Sequence, residues 1–277
     1  MENRLAPLVE NHNWFTLSRF GGCMRFHRVK KLKLAAGLAL LMLVVQALEL
    51  IMAYFGLTEY RLTAQMPDLP FALALVFCLA MRTAKQDTTF LLRFGTPRTS
   101  VWLSNVLSLF LCGVIYLLLS AVVNALTGAA AVALAPHCSA IHLADRYQLP
   151  VGEYLLNLFT DMGGALPWNL LWLLEYTCIF YLLACCLRRW KAATIIVLVG
   201  VPALLFTLIL LPTIQGVAEM LESGSEGELM VLFFRFMSWL EKVADFTVEN
   251  WQWVQGAMAF VSLVLSYLVM RGTRQPE

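Results

Sequence analysis

The sequence has few charges and lacks the common signatures of a catalyst. Charged residues make up 14% of its 277 positions. It contains no Gly-Lys dipeptide, which excludes a phosphate-binding loop of the Gly-x-x-x-x-Gly-Lys type. It also lacks a His-Glu-x-x-His zinc motif and a Gly-x-Ser-x-Gly nucleophile turn. All four histidines lie outside the long apolar runs, so the usual base of an intramembrane serine hydrolase is missing. These absences argue against an enzyme.

Apolar residues are abundant and fall into long runs. They account for 60% of the chain, and the mean hydropathy is +0.72, more than one soluble core can bury. The runs cover residues 34–55, 69–81, 101–126, 166–187, 192–211 and 251–270. A membrane crossing takes about 20 apolar residues, so only the second run is short. The sequence therefore predicts an all-α membrane protein with six transmembrane helices.

The charges between these runs alternate in sign. Of the 20 lysines and arginines, sixteen lie before the first, third and fifth runs or after the sixth, and acidic residues dominate the other gaps. Because cationic loops stay on the cytoplasmic side, both termini are expected to be cytoplasmic. The predicted domains are a tail with an interfacial helix (1–33), a six-span domain (34–270) and a C-terminal tail (271–277).

The expected location follows from this layout. It is a cell membrane crossed several times, with the bacterial plasma membrane as the expected one. The basic inner face suits anionic lipid headgroups. A net charge of only +2 gives no indication of a nucleic-acid partner.

Two segments outside the runs are also apolar. Residues 14–33 alternate apolar and basic side chains, which predicts an amphipathic interfacial helix broken at Gly21-Gly22, or alternatively a disordered basic tail. Between the fifth and sixth runs, residues 223–227 predict a flexible linker. Residues 228–241 predict an apolar re-entrant or interfacial helix at the outer mouth, and the role of the whole segment 216–250 stays open.

The segment between the second and third runs is too apolar for an ordinary cytoplasmic turn. Phe90, Leu91, Leu92 and Phe94 predict a short amphipathic helix that ends at Gly95. Thr96-Pro97 is then expected to supply the N-cap and first position of the next helix. Such a helix either docks on a partner and passes its movement into the membrane, or dips into the lipid headgroups.

This segment carries a family resemblance. Residues 90–107 read Phe-Leu-Leu-Arg-Phe-Gly-Thr-Pro-Arg-Thr-Ser-Val-Trp-Leu-Ser-Asn-Val-Leu. With the basic interfacial helix and six runs, they resemble the permease subunits of type-2 ABC exporters. Gly95, Pro97 and Arg98 match the Gly-x-Ser/Pro-Arg turn that follows the coupling helix in that family. The short second run and the long outer segment depart from the pattern.

The resemblance implies export driven by a separate ABC ATPase subunit, which would bind the ATP, so no cofactor is expected in this chain. It also implies a dimer with a second permease copy or a homologue. The cargo cannot be named from the sequence. The residues implied in coupling to the ATPase are Lys85, Asp87, Phe90, Leu91, Phe94, Gly95 and Arg98.

Polar residues within the runs are candidates for a translocation path. The third run repeats small or polar residues every four positions, at Ser104, Ser108, Cys112, Tyr116, Ser120, Asn124 and Gly128. Each step drifts by about 40° on a helix, so Ser104 to Cys112 predict helix packing and Tyr116 to Gly128 a separate patch, packed or cavity-lining.

Glu49 and Glu175 are the only acids well inside runs, and they either face a cavity or join helices by hydrogen bonds. The proposed path residues are Glu49, Tyr116, Asn124 and Glu175. The alternative function is a stand-alone secondary transporter or channel with Glu49 and Glu175 as coupling sites, although the runs show no internal repeat.

Two further patterns have simple explanations. His137, Cys138 and His142 lie together in one outer loop and have metal-ligating side chains, but an ordinary polar loop explains them as well, and no metal is predicted. In the fifth run, Pro202 and Pro212 predict a kink.

Overall fold

The computed structural model describes residues 17–62, 68–144, 148–195 and 249–271, together with Arg235, Ser238, Glu241, Lys242 and Asp245. These residues are mostly helical, and five helices are long and apolar enough to cross a membrane. The described chain is therefore mostly helical and compatible with a multi-pass membrane protein. The fifth run from residue 196 with its predicted kink, the predicted linker 223–227, and the predicted outer helix 228–241 apart from Arg235, Ser238 and Glu241, lie outside the described residues.

Seven helices and two short strands make up the described part of the chain. In chain order they are α1 (Leu17–Tyr54), β1 (Tyr60–Leu62), α2 (Leu69–Arg82), a π turn (Thr83–Asp87), α3 (Thr88–Arg93), α4 (Arg98–Leu134), a 3-10 turn (Ala135–His137), β2 (Ile141–Leu143), α5 (Val151–Arg189), α6 (Lys191–Ile195) and α7 (Trp251–Arg271).

Helix α1 corrects the prediction of a separate interfacial helix. It runs unbroken for 38 residues, so Gly21 and Gly22 do not interrupt it. A glycine inside a helix costs only about 1 kcal/mol relative to alanine. Tertiary packing offsets that cost, because the row Cys23, His27, Lys31, Ala35 and Ala39 is buried. The basic segment therefore belongs to the first long helix of the bundle.

The second apolar run is short, but the helix that contains it, α2, is extended by the residues that follow. It continues through the π turn into α3, which makes 25 consecutive helical residues from Leu69 to Arg93. At the turn, the Thr88 N–H donates to the carbonyl of Thr83, five residues earlier. Single π turns of this kind occur frequently at functional sites. The predicted short helix after the second run is therefore real, but no loop precedes it.

Helix α4 lies at the centre and packs against α1, α2, α3, α5 and α7. All seven residues of its four-residue repeat are buried, not only the first three. The packed alternative therefore holds for Tyr116 to Gly128, and α1 presents its own buried row at the same spacing from Cys23 to Ala39. Matching four-residue rows stay in contact when two helices wrap around each other in a right-handed sense. The repeat is thus one continuous packing interface with α1.

A parallel pair of strands joins the ends of α1 and α4. Tyr60 pairs with Ile141 and Leu62 with Leu143. Close by, the Cys138 thiol donates to the carbonyl of Ala53, at 3.3 Å. Strands of three residues are too short to show a periodicity, so they were not predicted from the sequence.

The two ends of α7 carry different side chains. At one end, Trp251 packs on Trp168 and Trp172 of α5, with ring centroids 4.6 and 6.2 Å apart. At the other end, Arg98 donates to the carbonyl of Arg271 and Arg189 to that of Val269. We call these the tryptophan end and the arginine end. Twenty-one residues of α-helix separate them by about 30 Å, the thickness of a bilayer core.

Candidate functional site

Gly95 ends α3 in a conformation that few other residues adopt. Its φ is 68°, in the left-handed region. The Gly95 N–H donates to the carbonyl of Leu92 at 3.0 Å, and the Thr96 N–H to that of Leu91 at 3.4 Å. These two bonds make a Schellman motif, which uses up carbonyls left free at a helix end. Helix α4 begins at Arg98 with Pro97 as its N-cap, one position later than expected.

The structure divides the seven residues implied in coupling into two groups. Lys85, Phe90, Phe94 and Gly95 are exposed, and Arg98 is half-buried. Asp87 and Leu91 face the interior instead. Leu91 packs in a cluster with Cys23, Leu92, Val101 and Met270. Only the first group is available to a partner protein, whereas Asp87 and Leu91 hold α3 against the bundle.

The exposed side of α3 carries an aromatic patch made of Phe26, Phe90 and Phe94. Phe90 stacks on Phe26 of α1 with centroids 5.1 Å apart and contacts Phe94 at 4.7 Å. Phe90 is 45% exposed and Phe94 is 71% exposed. The Arg19 guanidinium donates to the Gly95 carbonyl at 2.8 Å, which fixes α1 to the same turn. The patch is therefore exposed and firmly supported from behind.

Beneath the patch, Asp87 is the acidic centre of a buried polar cluster. Its carboxylate is only 4% exposed and accepts a hydrogen bond from Lys30 at 3.2 Å. The His27 ring nitrogen Nδ1 lies 3.7 Å from it, and the Thr83 hydroxyl donates to it at 3.4 Å. These contacts join the last residue of the π turn to α1.

The cluster extends from Asp87 into the bundle. Lys31 is 3% exposed and donates to the Ser108 hydroxyl of α4 at 2.5 Å. The Asn105 amide donates to Thr88 at 2.9 Å and to the Tyr181 hydroxyl of α5 at 3.0 Å. Tyr181 in turn donates to the Met270 sulfur of α7 at 3.6 Å. Polar contacts therefore connect the π turn and α3 to α1, α4, α5 and α7.

A second contact holds the π turn from the side of α5. Arg188 donates to the Ala84 carbonyl at 2.6 Å and to the Thr89 hydroxyl at 3.0 Å. From the sequence alone, Arg188, Lys30 and Lys31 are expected only as part of the cytoplasmic charge. The four-residue spacing of Cys23, His27, Lys31, Ala35 and Ala39 was the one signal that could have placed Lys31 in the interior.

The four residues proposed for a translocation path do not meet. Tyr116 and Asn124 are buried against α1, where the Tyr116 hydroxyl donates to the Met42 sulfur and Asn124 accepts from Gln46 at 3.0 Å. Glu49 is exposed on α1, whereas Glu175 is buried in α5. Contacts between helices give the heights of both glutamates along the bundle axis. Gln46, close to Glu49, is at the height of Asn124, and Leu173, close to Glu175, is at the height of Gly113. At 1.5 Å per residue, the two glutamates are about 24 Å apart along the bundle.

The outer loop provides no grouping for a metal ion. Among the described residues, no three His, Cys, Asp or Glu side chains lie close enough together to bind one. His137 and His142 are exposed, and the Cys138 thiol is used in its contact with Ala53. Nearby, a hydrogen bond from Arg61 lowers the pKa of the exposed Glu59 carboxyl.

Comparison with known proteins returns no match: no protein-family model fits the chain, and no curated protein or solved structure resembles it. Function is therefore inferred from the chain's own residues. What they provide is a rigid exposed aromatic patch, supported by a buried polar cluster that touches four long helices.

Proposed function

We propose that this chain is the membrane-spanning subunit of an ATP-driven exporter, coupled to a separate ABC ATPase. The observation that carries the proposal is the position of Phe90 and Phe94. Both are exposed at the end of a helix that continues from α2 through the π turn and joins α4 at Gly95. A partner that pushes on this patch moves two membrane helices directly, with no flexible loop to absorb the movement.

The buried contacts supply the next step of the proposed mechanism. Closure of the ATPase on ATP displaces α3. Asp87 passes this displacement to α1 through Lys30, and Arg188 passes it to α5 through Ala84 and Thr89. In this proposal the bundle works as a dimer with a second copy or a homologue. Both termini and the arginine end face the cytoplasm of a bacterial cell.

The alternative, a secondary transporter coupled through Glu49 and Glu175, gains no support from their positions. Two acids that exchange one proton or ion with a common site need to share a cavity. The described bundle separates them by about 24 Å along its axis, with Glu49 at the surface and Glu175 inside.

Co-purification tests the proposed function. The full chain carrying an affinity tag, extracted from its native membrane in mild detergent, is expected to bring an ABC ATPase with it, identified by mass spectrometry. Adding the chain to that ATPase is expected to change the rate of ATP hydrolysis. Recovery of the folded chain without any ATPase, at several detergent concentrations, would refute the proposal.

Membrane orientation gives a second test. In a cysteine-free background, Ser139→Cys is expected to react with an impermeant thiol reagent added outside intact cells, whereas Gln86→Cys is expected not to. Both positions are exposed, so burial cannot explain a difference between them. Labelling of Gln86→Cys from outside would place α3 on the wrong side for an ATPase.

A further inference from the structure

Two polar side chains are buried without a partner where α5 packs on α7. Glu175 of α5 is 8% exposed and Gln255 of α7 is 5% exposed. Among the described residues, none forms a hydrogen bond with Glu175 Oε2 or with either polar atom of the Gln255 amide. The ion pairs of the described chain do not include Glu175 either. The carboxyl group therefore does not join the described helices, which was one of the two roles expected of it.

The packing of α5 on α7 brings these two side chains to nearly the same height. Trp172 contacts Trp251 at the tryptophan end, with ring centroids 6.2 Å apart, and the last turns of both helices meet at the arginine end. The two helices are therefore parallel. Glu175 follows Trp172 by three residues and Gln255 follows Trp251 by four. At 1.5 Å per residue, they lie about 4.5 Å and 6 Å beyond the tryptophan contact.

Both side chains also lie on the facing sides of the two helices. Gln255 belongs to the buried row of α7 that ends near Ser266, and α7 packs mainly against α5. Three residues on a helix return to within about 60° of the same direction, so Glu175 lies on the side of α5 from which Trp172 contacts α7. We call Glu175, Gln255 and the neighbouring rings of Trp172 and Trp251 the α5–α7 seam.

The seam has the chemistry of a site for an organic cation. A carboxyl group inside a bundle normally faces a partner or water, and an unpaired carboxylate attracts a positive charge. The Gln255 amide oxygen can accept a hydrogen bond from an ammonium group. The rings of Trp172 and Trp251 are only half-buried, and the faces of tryptophan rings attract ammonium groups.

A divalent metal ion fits the seam less well than an organic cation. Calcium and magnesium take about six or more oxygen ligands. Among the described residues, Glu175 does not belong to any group of three His, Cys, Asp or Glu side chains that could hold a metal ion. Aromatic rings supply no oxygen ligand, whereas they suit the apolar part of an organic molecule.

We propose that the α5–α7 seam binds a protonated organic amine with an apolar body. The ammonium group donates charge-assisted hydrogen bonds to Glu175 Oε2 and to the Gln255 amide oxygen, and the apolar body lies against the rings of Trp172 and Trp251. The amine enters from the tryptophan end, which is the nearer end of α7. Binding itself does not depend on the proposed export. Only the further step, that the bound amine is the cargo, rests on the proposed function.

Two probes of similar shape test the need for a positive charge. Phenethylamine is an ammonium ion at neutral pH, whereas phenethyl alcohol has an uncharged hydroxyl group in the same place. Equilibrium dialysis of each radiolabelled probe against the full-length chain in phosphatidylcholine nanodiscs, without any ATPase, measures its affinity, and empty nanodiscs correct for partitioning into lipid. The wild-type chain is expected to bind the amine roughly tenfold or more tightly than the alcohol, because a hydrogen bond to a charged group contributes at least that factor.

Two variants with matched controls assign the binding to the seam. Glu175→Gln is expected to lose the preference for the amine, and Gln255→Leu is expected to weaken amine binding. The controls make the same substitutions at exposed positions of the long helices. Glu49→Gln and Gln252→Leu are expected to keep the wild-type affinity and preference.

Thermal unfolding in mild detergent separates binding from a structural role. Because Glu175 has no partner among the described residues, Glu175→Gln is expected to leave the unfolding temperature of the amine-free protein unchanged or to raise it. The variant is also expected to lose the rise in unfolding temperature that phenethylamine causes in the wild type. A clear fall in the unfolding temperature without amine would assign Glu175 to helix packing and overturn the proposal.

Three dialysis results would also overturn the proposal. The first is equal affinity of the wild type for the two probes, or binding of neither. The second is an unchanged preference in Glu175→Gln. The third is an equal loss of preference in Glu49→Gln, which would indicate a general effect of acidic residues. Absence of a co-purifying ATPase, by contrast, would refute the proposed function and leave the amine result standing.

Discussion

Asp87→Asn is expected to destabilise the protein by about 1–3 kcal/mol, because it weakens charge-assisted hydrogen bonds at a buried acceptor whose cationic partner Lys30 is partly exposed. The substitution keeps the shape of the side chain but removes the one negative charge that the described residues place near Lys30, Lys31 and His27. Lys30 is partly exposed and can turn toward water, but Lys31 is buried and cannot. Denaturant unfolding of the purified protein in mixed micelles measures the loss.

A rescue and a control make this prediction specific. Adding Lys31→Met to Asp87→Asn removes the stranded cation, so the double variant is expected to be more stable than the single one. Glu59→Gln breaks the exposed pair with Arg61 and is expected to leave the unfolding midpoint almost unchanged, because water and salt screen an exposed pair. An Asp87→Asn protein that unfolds at the wild-type denaturant concentration would mean that the cluster does not stabilise the junction of α1 and the π turn.

Phe94→Asp is expected to weaken ATPase binding by roughly a hundredfold while leaving the chain folded. If Phe94 enters an apolar groove of the partner, a carboxylate there is buried without a counter-charge, at a cost of a few kcal/mol. Phe90→Asp is expected to act in the same direction, and it also removes the stacking on Phe26. Pull-down of the ATPase with each purified variant measures the effect.

Phe55→Asp is the matched control, because Phe55 is 70% exposed and follows the opposite end of α1. It is expected to keep the ATPase bound.

Gly95→Val is expected to behave differently from the aspartate variants. The partner stays bound, but ATP hydrolysis is uncoupled from transport, because a β-branched residue is strained at a φ of 68°. Normal ATPase binding and transport by both aspartate variants would show that the patch only touches lipid.

The features that the sequence predicted correctly depend on local chemistry. Long apolar runs leave few alternatives to helices, and the position of Gly95 between an apolar segment and Thr-Pro indicated a helix end. The wrong prediction of a helix break at Gly21 and Gly22 has the same origin in local chemistry. Local propensity disfavours them in a helix by a small amount, whereas the buried row of α1 that overrides it involves contacts far away in the sequence.

The polar cluster could not have been predicted from one sequence. Lys30 and Asp87, or Asn105 and Tyr181, are far apart along the chain. The four-residue row through Lys31 distinguishes it from the exposed Lys33, but it does not indicate which residues Lys31 contacts. A hydropathy pattern also assigns every cation to the membrane surface, so it predicted a surface position for Lys31, which is buried.

The strand pair has a consequence for how this bundle can change shape. It joins α1 to α4 beyond the ends that lie opposite the arginine end. Arg19 bonds to Gly95, in the turn before α4, and Lys31 and Gln46 bond to α4 between these two ends. Two elements fastened along their whole length cannot shear against each other. They form one rigid body. Any opening of the bundle must then occur along its other boundaries, as a swing of this pair away from α2, α5 and α7.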